Sequence, residues 1–132
     1  MKAYESMEIA ESVTTLAADI FDWALNKGFW GDEWEVMKNH NVPVEILNSV
    51  REMKKCQKLL LIVSEISELM EGLRATNNIV SLGHFTNEEE EAADVMIRLL
   101  DYCGRYKLRI GAALMAKMAK NEGRPFLHGK TF

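Results

Sequence analysis

The sequence predicts an all-α protein whose single domain, residues 1–132, folds as a four-helix bundle. Only two prolines and eight glycines interrupt the 132 residues, and no run of alternating β-branched residues indicates a strand. Apolar residues recur at intervals of three and four in four long segments joined by short connections. With a mass of 15.1 kDa and 48% hydrophobic residues, the chain is large enough to bury a core.

The first helix is predicted over residues 5–27. Its apolar residues, Ile9 and Val13 among them, form one stripe. Gly28 is a natural stop because glycine readily adopts the left-handed backbone that ends helices. Residues 29–43 are rich in aromatic side chains and lack helical periodicity, so this segment is predicted to be irregular.

The second helix is predicted over residues 44–74, since Pro43 suits the first turn of a helix. Residues 75–86 have the composition of a loop. Thr86 is followed three positions later by a glutamate, the pattern of a capping box, which predicts a third helix over residues 87–106. At 100° of rotation per residue, the second helix has one wide apolar face, expected to be its buried face. This face consists of Leu59, Ile62, Val63, Ile66, Leu69, Met70 and Leu73.

The fourth helix is predicted over residues 108–122, with Gly123 and Pro125 ending it. Residues 124–132 are predicted to form an extended tail. The first and fourth helices present much apolar surface, including the small residues that follow Gly111. A lone bundle of this size leaves part of that surface exposed, which favours association with other copies.

The composition excludes several classes of protein. A net charge of −4 and a pI near 5.4 lack the basic surface that general binding of nucleic-acid polymers requires. The apolar stretches reach only about ten residues, too few to cross a bilayer, so no membrane partner is expected. The N-terminus carries acidic residues where a signal peptide is apolar. Together with two cysteines outside any C-x-x-C motif, Cys56 and Cys103, these features predict a cytoplasmic protein with reduced thiols.

Charge is distributed unevenly along the chain. Residues 1–102 carry nine Lys or Arg and 19 Asp or Glu, whereas residues 103–132 carry seven Lys or Arg and one glutamate. An acidic face attracts metal cations, and a basic segment attracts anions such as phosphates. Pairing of the basic end with the acidic body explains the asymmetry equally well, so both interpretations stay open.

Two pairs of acidic residues carry the candidate chemistry. Glu65 and Glu68 lie three apart on the second helix, on a stripe whose apolar neighbour and glycine suggest partial burial and a close approach of another element. Glu91 and Asp94 form a second pair on the third helix. Acids in a first helical turn are favoured by the dipole, and Arg98 is spaced to form a surface ion pair with Asp94, so each pair alone has an ordinary explanation.

The two pairs become informative together. If the second and third helices are antiparallel neighbours, four carboxylates converge, and such a cluster needs cations to stay ionised. Oxygen ligands without histidine or cysteine favour Mg²⁺, with Mn²⁺ as a substitute. A di-iron bundle is not expected, because it would need histidines on its helices.

A resemblance to a known family covers about residues 55–132. The acidic pairs lie in KLLLIVSEISELMEGLR and EEAADVMIRLLDY, which resemble the MazG-like, all-α nucleoside triphosphate pyrophosphatases. The signature of that family is E-x-x-E, a spacer, and E-x-x-D. Here the two pairs are separated by 22 residues. The C-terminal KMAKNEGRPFLHGKTF is similar to the K-x-x-x-N-x-x-R-P ending of the family.

The resemblance implies a fold, a reaction and an assembly. The fold is a four-helix bundle of the MazG-like type. Members of the family hydrolyse a nucleoside or deoxynucleoside triphosphate to the monophosphate and pyrophosphate, an activity that cleans or regulates the nucleotide pool. Members are dimers or dimers of dimers, so a homodimer or homotetramer is expected.

The resemblance also implies roles for individual residues. The four carboxylates of Glu65, Glu68, Glu91 and Asp94 would act catalytically by holding Mg²⁺. A second set, at the C-terminal end, would bind the phosphates of the substrate or close over them. This set consists of Lys117, Asn121, Arg124, Lys130 and His128. The helix dipole also favours positive charge at a helix C-terminus, which is an ordinary explanation for Lys117 and Arg124.

The nucleobase must be recognised elsewhere in the chain. Phe29, Trp30, Trp34 and His40 lie in the irregular segment before the second helix. Aromatic faces stack on bases, which makes these residues candidates for a base-binding site. Aromatic side chains in a loop also close the end of a bundle by packing, and this interpretation stays open beside the first.

Two hypotheses from different classes follow. The first is a Mg²⁺-dependent nucleoside triphosphate pyrophosphohydrolase. The second is a non-catalytic helical interaction module whose acidic face is merely solvated. On the first hypothesis, replacing Glu68 by glutamine removes turnover while the fold survives. On the second, the same change has little effect, as is usual for surface substitutions.

Overall fold

The computed structural model describes residues 3–31, 33–74 and 83–125, without the side chains of residues 3–5 and 34. Across these residues the protein is all-α and contains no strand, which confirms the predicted class. There are five helices: α1 (Ala3–Asn26), α2 (Glu33–Asn39), α3 (Val44–Arg74), α4 (Asn87–Arg105) and α5 (Ile110–Glu122).

The four predicted helices are present with ends that differ by at most two residues, and α2 is additional. This helix has only seven residues, too few for an apolar period to show in the sequence. Its charges suit a helix, since Glu33 and Glu35 lie in the first turn and Lys38 in the last turn. The segment predicted to be irregular is therefore partly helical.

Local signals in the sequence account for the helix ends. The hydroxyl of Thr86 accepts a hydrogen bond from the Glu89 backbone N–H, and the Glu89 carboxylate accepts one from the Thr86 N–H at 2.7 Å. This is the predicted capping box, and its hydrogen bonds lower the pKa of the Glu89 carboxyl. Gly28 follows α1 with φ of +79°, a conformation that favours glycine.

The helices pack as an open row. α4 lies between α1 and α3, α5 packs on the other side of α1, and α2 packs on α3. Glycines allow two of these crossings, because a Cβ at Gly104 or Gly111 would collide with the backbone of α1. The core cluster of Ala17, Leu100 and Cys103 lies between α1 and α4. In the described part of the chain, α3 and α5 stand at opposite ends of the row without extensive contact.

The apolar face of α3 is exposed, contrary to the expectation that it faces the core. Val63, Met70 and Leu73 are 56%, 52% and 63% exposed, respectively. The neighbouring stripe, which carries Glu65, packs against α4 instead. Periodicity correctly identified an apolar face, but no described element of the same chain covers it.

No helix among the described residues is both long and apolar enough to cross a bilayer. The side chain of Cys103 is buried and that of Cys56 is exposed, and both are free thiols. Most of the predicted 75–86 loop and most of the predicted 124–132 tail lie outside the described residues.

Candidate metal centre and the adjoining cleft

Three carboxylates converge where α3 crosses α4. Glu65, Glu91 and Asp94 each offer one oxygen, and these three oxygens lie within 4.8 Å of one another. Glu65 is buried, Glu91 is partly buried and Asp94 is exposed, so the cluster runs from the helix interface to the surface. The predicted convergence across two helices therefore includes three of the four acids.

Glu68 lies at the edge of this cluster. Its side chain is exposed, and its oxygens are outside the set that meets within 4.8 Å. It nevertheless acts on the cluster through its charge. Partial burial raises the pKa of the Glu91 carboxyl, and the negative charges of Glu68, Asp94 and Glu65 raise it further. The acidic side chains therefore lie close enough to repel one another, and their arrangement leaves part of this repulsion uncompensated.

One cation compensates part of this charge. The Arg98 Nε–H donates a hydrogen bond to the Glu65 carboxylate, which is 7% exposed, while the Arg98 side chain is 39% exposed. The sequence suggested a pair between Arg98 and Asp94 along α4. The structure instead gives Arg98 a partner on α3, because that carboxylate is buried and has the greater need for a counter-charge.

A cleft of about 170 Å³ opens beside the cluster. Glu65 and Asp94 form one part of its wall, and Lys58 and Arg98 contribute positive charge to the same wall. The Lys58 Nζ donates a hydrogen bond to the Phe29 carbonyl oxygen at 2.8 Å. Partial burial lowers the pKa of the Lys58 ammonium. Acidic and basic side chains thus share one concave surface, which suits a ligand that carries both metal ions and anionic groups.

Aromatic residues close the other side of the cleft. Trp23 and Phe29 are 47% and 56% exposed, and their ring centroids are 5.8 Å apart. Both line the same cleft as the acidic cluster. Exposed rings at a cleft can stack on a planar ligand. Trp23 was not among the residues predicted to contact a base.

A buried hydrogen bond lies behind the cleft. The Trp30 Nε1–H donates to the Asp101 Oδ1 at 2.7 Å, and both side chains are buried. Burial raises the pKa of the Asp101 carboxyl, while this hydrogen bond and the charges of Lys58, Arg98 and Arg105 oppose the rise. The Lys58 ammonium also lies 3.9 Å from the centroid of the Trp30 ring. This network fixes the wall that Lys58 contributes.

The structure places the predicted base-binding residues in different settings. Trp30 is buried and held by Asp101, which accords with the packing interpretation. His40 is exposed after α2, and its Nδ1 lies 2.8 Å from the Val36 carbonyl oxygen. The Trp34 side chain is outside the described part of the structure. Of the four, only Phe29 lines the cleft beside the cluster, within the limits of the described side chains.

The predicted phosphate-binding residues lie on or after α5. Lys117, Asn121 and Arg124 are exposed, and the Arg124 backbone N–H donates to the Asn121 carbonyl oxygen at 3.0 Å. Because α5 packs on α1, the structure does not bring these three side chains to the cluster within one chain. Lys130 and His128 are outside the described residues.

Sequence reasoning did not single out Lys58 or Asp101 and gave Arg98 only an ion pair with Asp94, although the spacing carried a signal for all three residues. Lys58 precedes Glu65 by seven residues, which places both on one stripe of α3. Arg98 and Asp101 follow Asp94 by four and seven residues and share its stripe of α4. Continuing each acidic stripe by two turns would have found all three residues.

The donor set fits a hard divalent cation. Three carboxylate oxygens within 4.8 Å of one another can approach a common ion, and Mg²⁺ completes its coordination with water or phosphate oxygens. A single arginine neutralises only part of the charge of three carboxylates, so added positive charge is favourable here. Comparison of the chain with protein-family models, curated protein sequences and solved structures finds no match.

Proposed function

We propose that this protein hydrolyses a nucleoside or deoxynucleoside triphosphate to the monophosphate and pyrophosphate with the aid of Mg²⁺. The observation that carries the proposal is the meeting of Glu65, Glu91 and Asp94 across α3 and α4. These are three of the four positions at which the sequence resembles the MazG-like pyrophosphatases. The mixed charge of the adjoining cleft supports the same reaction.

The proposed reaction makes separate demands on the acidic and basic residues. The carboxylates would hold Mg²⁺, which would neutralise triphosphate charge and increase the acidity of bound water. Lys58 and Arg98, in the same cleft, donate hydrogen bonds to phosphate oxygens on which negative charge accumulates. Glu68, at the edge of the cluster, adds negative charge that strengthens cation binding.

Each cation suits a different task. The planar guanidinium of Arg98 can hold two oxygens of one phosphate, whereas the Lys58 ammonium acts as a point charge. Lys58 is already fixed by the Phe29 carbonyl, so little side-chain freedom is lost on binding. The positive charges of Lys117 and Arg124 on the C-terminal part remain candidates for further phosphate contacts.

We also propose that the working protein is a homo-oligomer, a homodimer or a homotetramer. The apolar face of α3 is exposed over several turns, and no described side chain is fully buried. A second copy that covers this face would complete the missing side of the row and produce a closed bundle. Light scattering coupled to size-exclusion chromatography measures the assembly. A monomer at micromolar concentration would contradict this part of the proposal.

The activity is tested with a panel of nucleoside and deoxynucleoside triphosphates, with released pyrophosphate as the readout. Mg²⁺ and Mn²⁺ are tried in separate arms. Asp94→Asn is the informative variant because Asp94 is exposed and its loss leaves the helix interface intact. Glu88→Gln is the matched control, since it removes an exposed charge from the first turn of the same helix.

The expected result is turnover by the native protein and by Glu88→Gln, with a loss of at least about a hundredfold in Asp94→Asn. The exposed apolar face of α3 favours the alternative function, a non-catalytic interaction module. A panel that releases no pyrophosphate with any base or metal would reject the enzyme and leave that alternative.

A further inference from the structure

A second, larger cleft is lined by Trp30 and shares no described lining residue with the cleft beside the acidic cluster. Its volume is about 380 Å³, within the range of about 300–1,000 Å³ typical of small-molecule sites. Trp30 and Tyr106 supply aromatic walls, and Met37 and Val50 supply apolar ones. The two rings meet edge to face with centroids 6.1 Å apart. The cleft therefore offers a preformed apolar floor without any of the three clustered carboxylates.

Positive charge surrounds this cleft, and part of it is already compensated. The Lys54 ammonium lies 3.1 Å from a Glu33 carboxylate oxygen, and the Lys55 ammonium lies 2.7 Å from one of Glu52. Both pairs are at the surface, and they hold two cations in place beside the rings. These lysines do not require an additional anion.

Arg51 and Arg105 also line this cleft, and they differ from the two lysines in having no ion-pair partner within the described part of the chain. Among the described residues, neither guanidinium lies within ion-pair distance of a carboxylate, although the charge of Arg105 acts on the Asp101 carboxyl from a longer distance. The Arg51 guanidinium lies 5.8 Å from the centroid of Tyr106, and that of Arg105 lies 5.3 Å from the centroid of Trp30. A guanidinium that uses its face for a ring keeps its N–H donors for an anion. Two such groups converge here on one concave surface.

We infer that this cleft binds a planar ring that carries a phosphate group, the chemistry of a nucleoside monophosphate. Arg51 and Arg105 hold the phosphate through charge-assisted hydrogen bonds, which are strongest to an anion with several oxygens. The ring of the ligand packs against the apolar side chains of Met37 and Val50 and meets Trp30 and Tyr106 at their edges. The faces of these two rings are already covered by cations, Trp30 by Lys58 and Arg105 and Tyr106 by Arg51 and Lys55. This site is separate from the candidate metal centre, and the inference does not depend on the proposed hydrolysis.

The chemistry selects against two simpler ligands. Inorganic phosphate satisfies the guanidiniums but leaves the apolar wall of Met37 and Val50 uncovered. A nucleoside satisfies the walls but leaves two cations without an anion. A ligand that combines both parts in one molecule gains both sets of contacts while losing its translational freedom only once.

The test is a calorimetric titration of the full chain with adenosine 5′-monophosphate and uridine 5′-monophosphate in the presence of EDTA. Adenosine and inorganic phosphate are titrated as fragments. Arg51→Gln and Arg105→Gln remove one donor group each, and Arg51→Lys keeps the charge but loses the fork. Lys27→Gln is the control, because it removes an exposed cation after α1, away from the cleft. Circular dichroism checks that every variant is helical.

We expect each arginine-to-glutamine variant to weaken monophosphate binding about tenfold or more, with Arg51→Lys in between and Lys27→Gln within twofold of the native protein. Each fragment should bind at least tenfold more weakly than the whole ligand. The indole N–H resonance of Trp30, assigned from Trp30→Phe, should shift on binding because that group hydrogen bonds to Asp101 behind the cleft.

A second arm separates this site from the metal centre. Asp94→Asn should bind the monophosphate as the native protein does, since Asp94 lines only the smaller cleft. Three results would overturn the inference: no binding at millimolar ligand, equal binding by native and both arginine-to-glutamine variants, or loss of binding in Asp94→Asn. The last result would assign the ligand to the acidic site instead.

Discussion

Replacing Glu91 by glutamine should stabilise the metal-free protein and abolish its stabilisation by Mg²⁺. The glutamine keeps the size of the side chain and removes its charge. The pKa of the Glu91 carboxyl is raised, since this group is partly buried and faces the charges of Glu68, Asp94 and Glu65. The negative charge of Glu91 is unfavourable in the metal-free protein, and the same charge should be required to bind Mg²⁺.

The magnitude follows from the spacing of the oxygens. At 4.8 Å, two negative charges repel by about 0.9 kcal/mol at the dielectric constant of water and by about 3.5 kcal/mol at an effective value of 20. Solvent screens the exposed Asp94, and Arg98 offsets the charge of Glu65. The lower half of the range therefore applies. We expect a gain of about 1–2 kcal/mol without metal, or about 3–6 °C in Tm for a domain of this size.

The assay is thermal and urea unfolding in EDTA and in Mg²⁺ at low ionic strength. Native protein at an Mg²⁺ concentration of about 100 times Kd should gain about 2.7 kcal/mol. Glu91→Gln should start from a higher Tm in EDTA and gain little from Mg²⁺. The control is Glu88→Gln, which should behave like the native protein in both buffers because its carboxylate is exposed outside the cluster.

Two results would refute this reasoning. If Glu91→Gln is less stable than the native protein in EDTA, the carboxylate is not opposed by its neighbours. If its Tm rises with Mg²⁺ as much as that of the native protein, the ion binds elsewhere. Retention of the native metal response in Glu91→Gln would also remove the main support for the proposed enzyme.

Four further predictions follow, three on the surroundings of the site and one on the crossing of α1 and α5. The pKa of the Asp101 carboxyl is raised in the folded state. The free energy of unfolding should therefore fall as pH rises from the ordinary aspartate pKa through the folded value. Urea unfolding across pH measures this fall, and Asp101→Asn should remove it. Asp101→Ala also leaves the Trp30 N–H unpaired and should lower the free energy of unfolding by about 1–3 kcal/mol. Equal stability of Asp101→Asn and Asp101→Ala would show that this hydrogen bond contributes little. Arg98→Met should lower the free energy of unfolding by about 1–3 kcal/mol in EDTA, a figure reduced because Arg98 is 39% exposed. Mg²⁺ should recover part of this loss. An equal loss in both buffers would argue that Glu65 does not bind both Arg98 and the metal ion. Gly111→Ala should lower Tm, since its Cβ would meet the α1 backbone, and an unchanged Tm would mean that this crossing can relax.

The helix ends were predictable because the signals for them are local. Thr86 and Glu89 form a capping box whose two halves lie three residues apart, and Gly28 ends α1 through its own backbone conformation. The short α2 was not predicted because seven residues contain fewer than two full turns, too few for a helical period to show. Fold class and helix positions therefore needed no information about tertiary contacts.

The arrangement of the site was only partly predictable. Spacing places Glu65 and Glu68 near each other, but the rotation of α3 against α4 decides that the first is buried in the cluster and the second stays at its edge. That rotation depends on packing across the interface. The same limit explains why the exposed face of α3 was expected to be buried, since a period gives the face but not its neighbour.

The tight crossing at Gly104 has a mechanical consequence for the chemistry. Gly104 lies ten residues from Asp94 on one continuous helix, or about 15 Å along the axis. A side chain at Gly104 that tilted α4 by about 4° would move Asp94 by about 1 Å, because the helix is rigid and would rotate about its contact with α1. Errors of that size can reduce turnover a hundredfold. If the protein hydrolyses nucleotides as proposed, substitutions at Gly104 should therefore alter the rate more than they alter substrate choice.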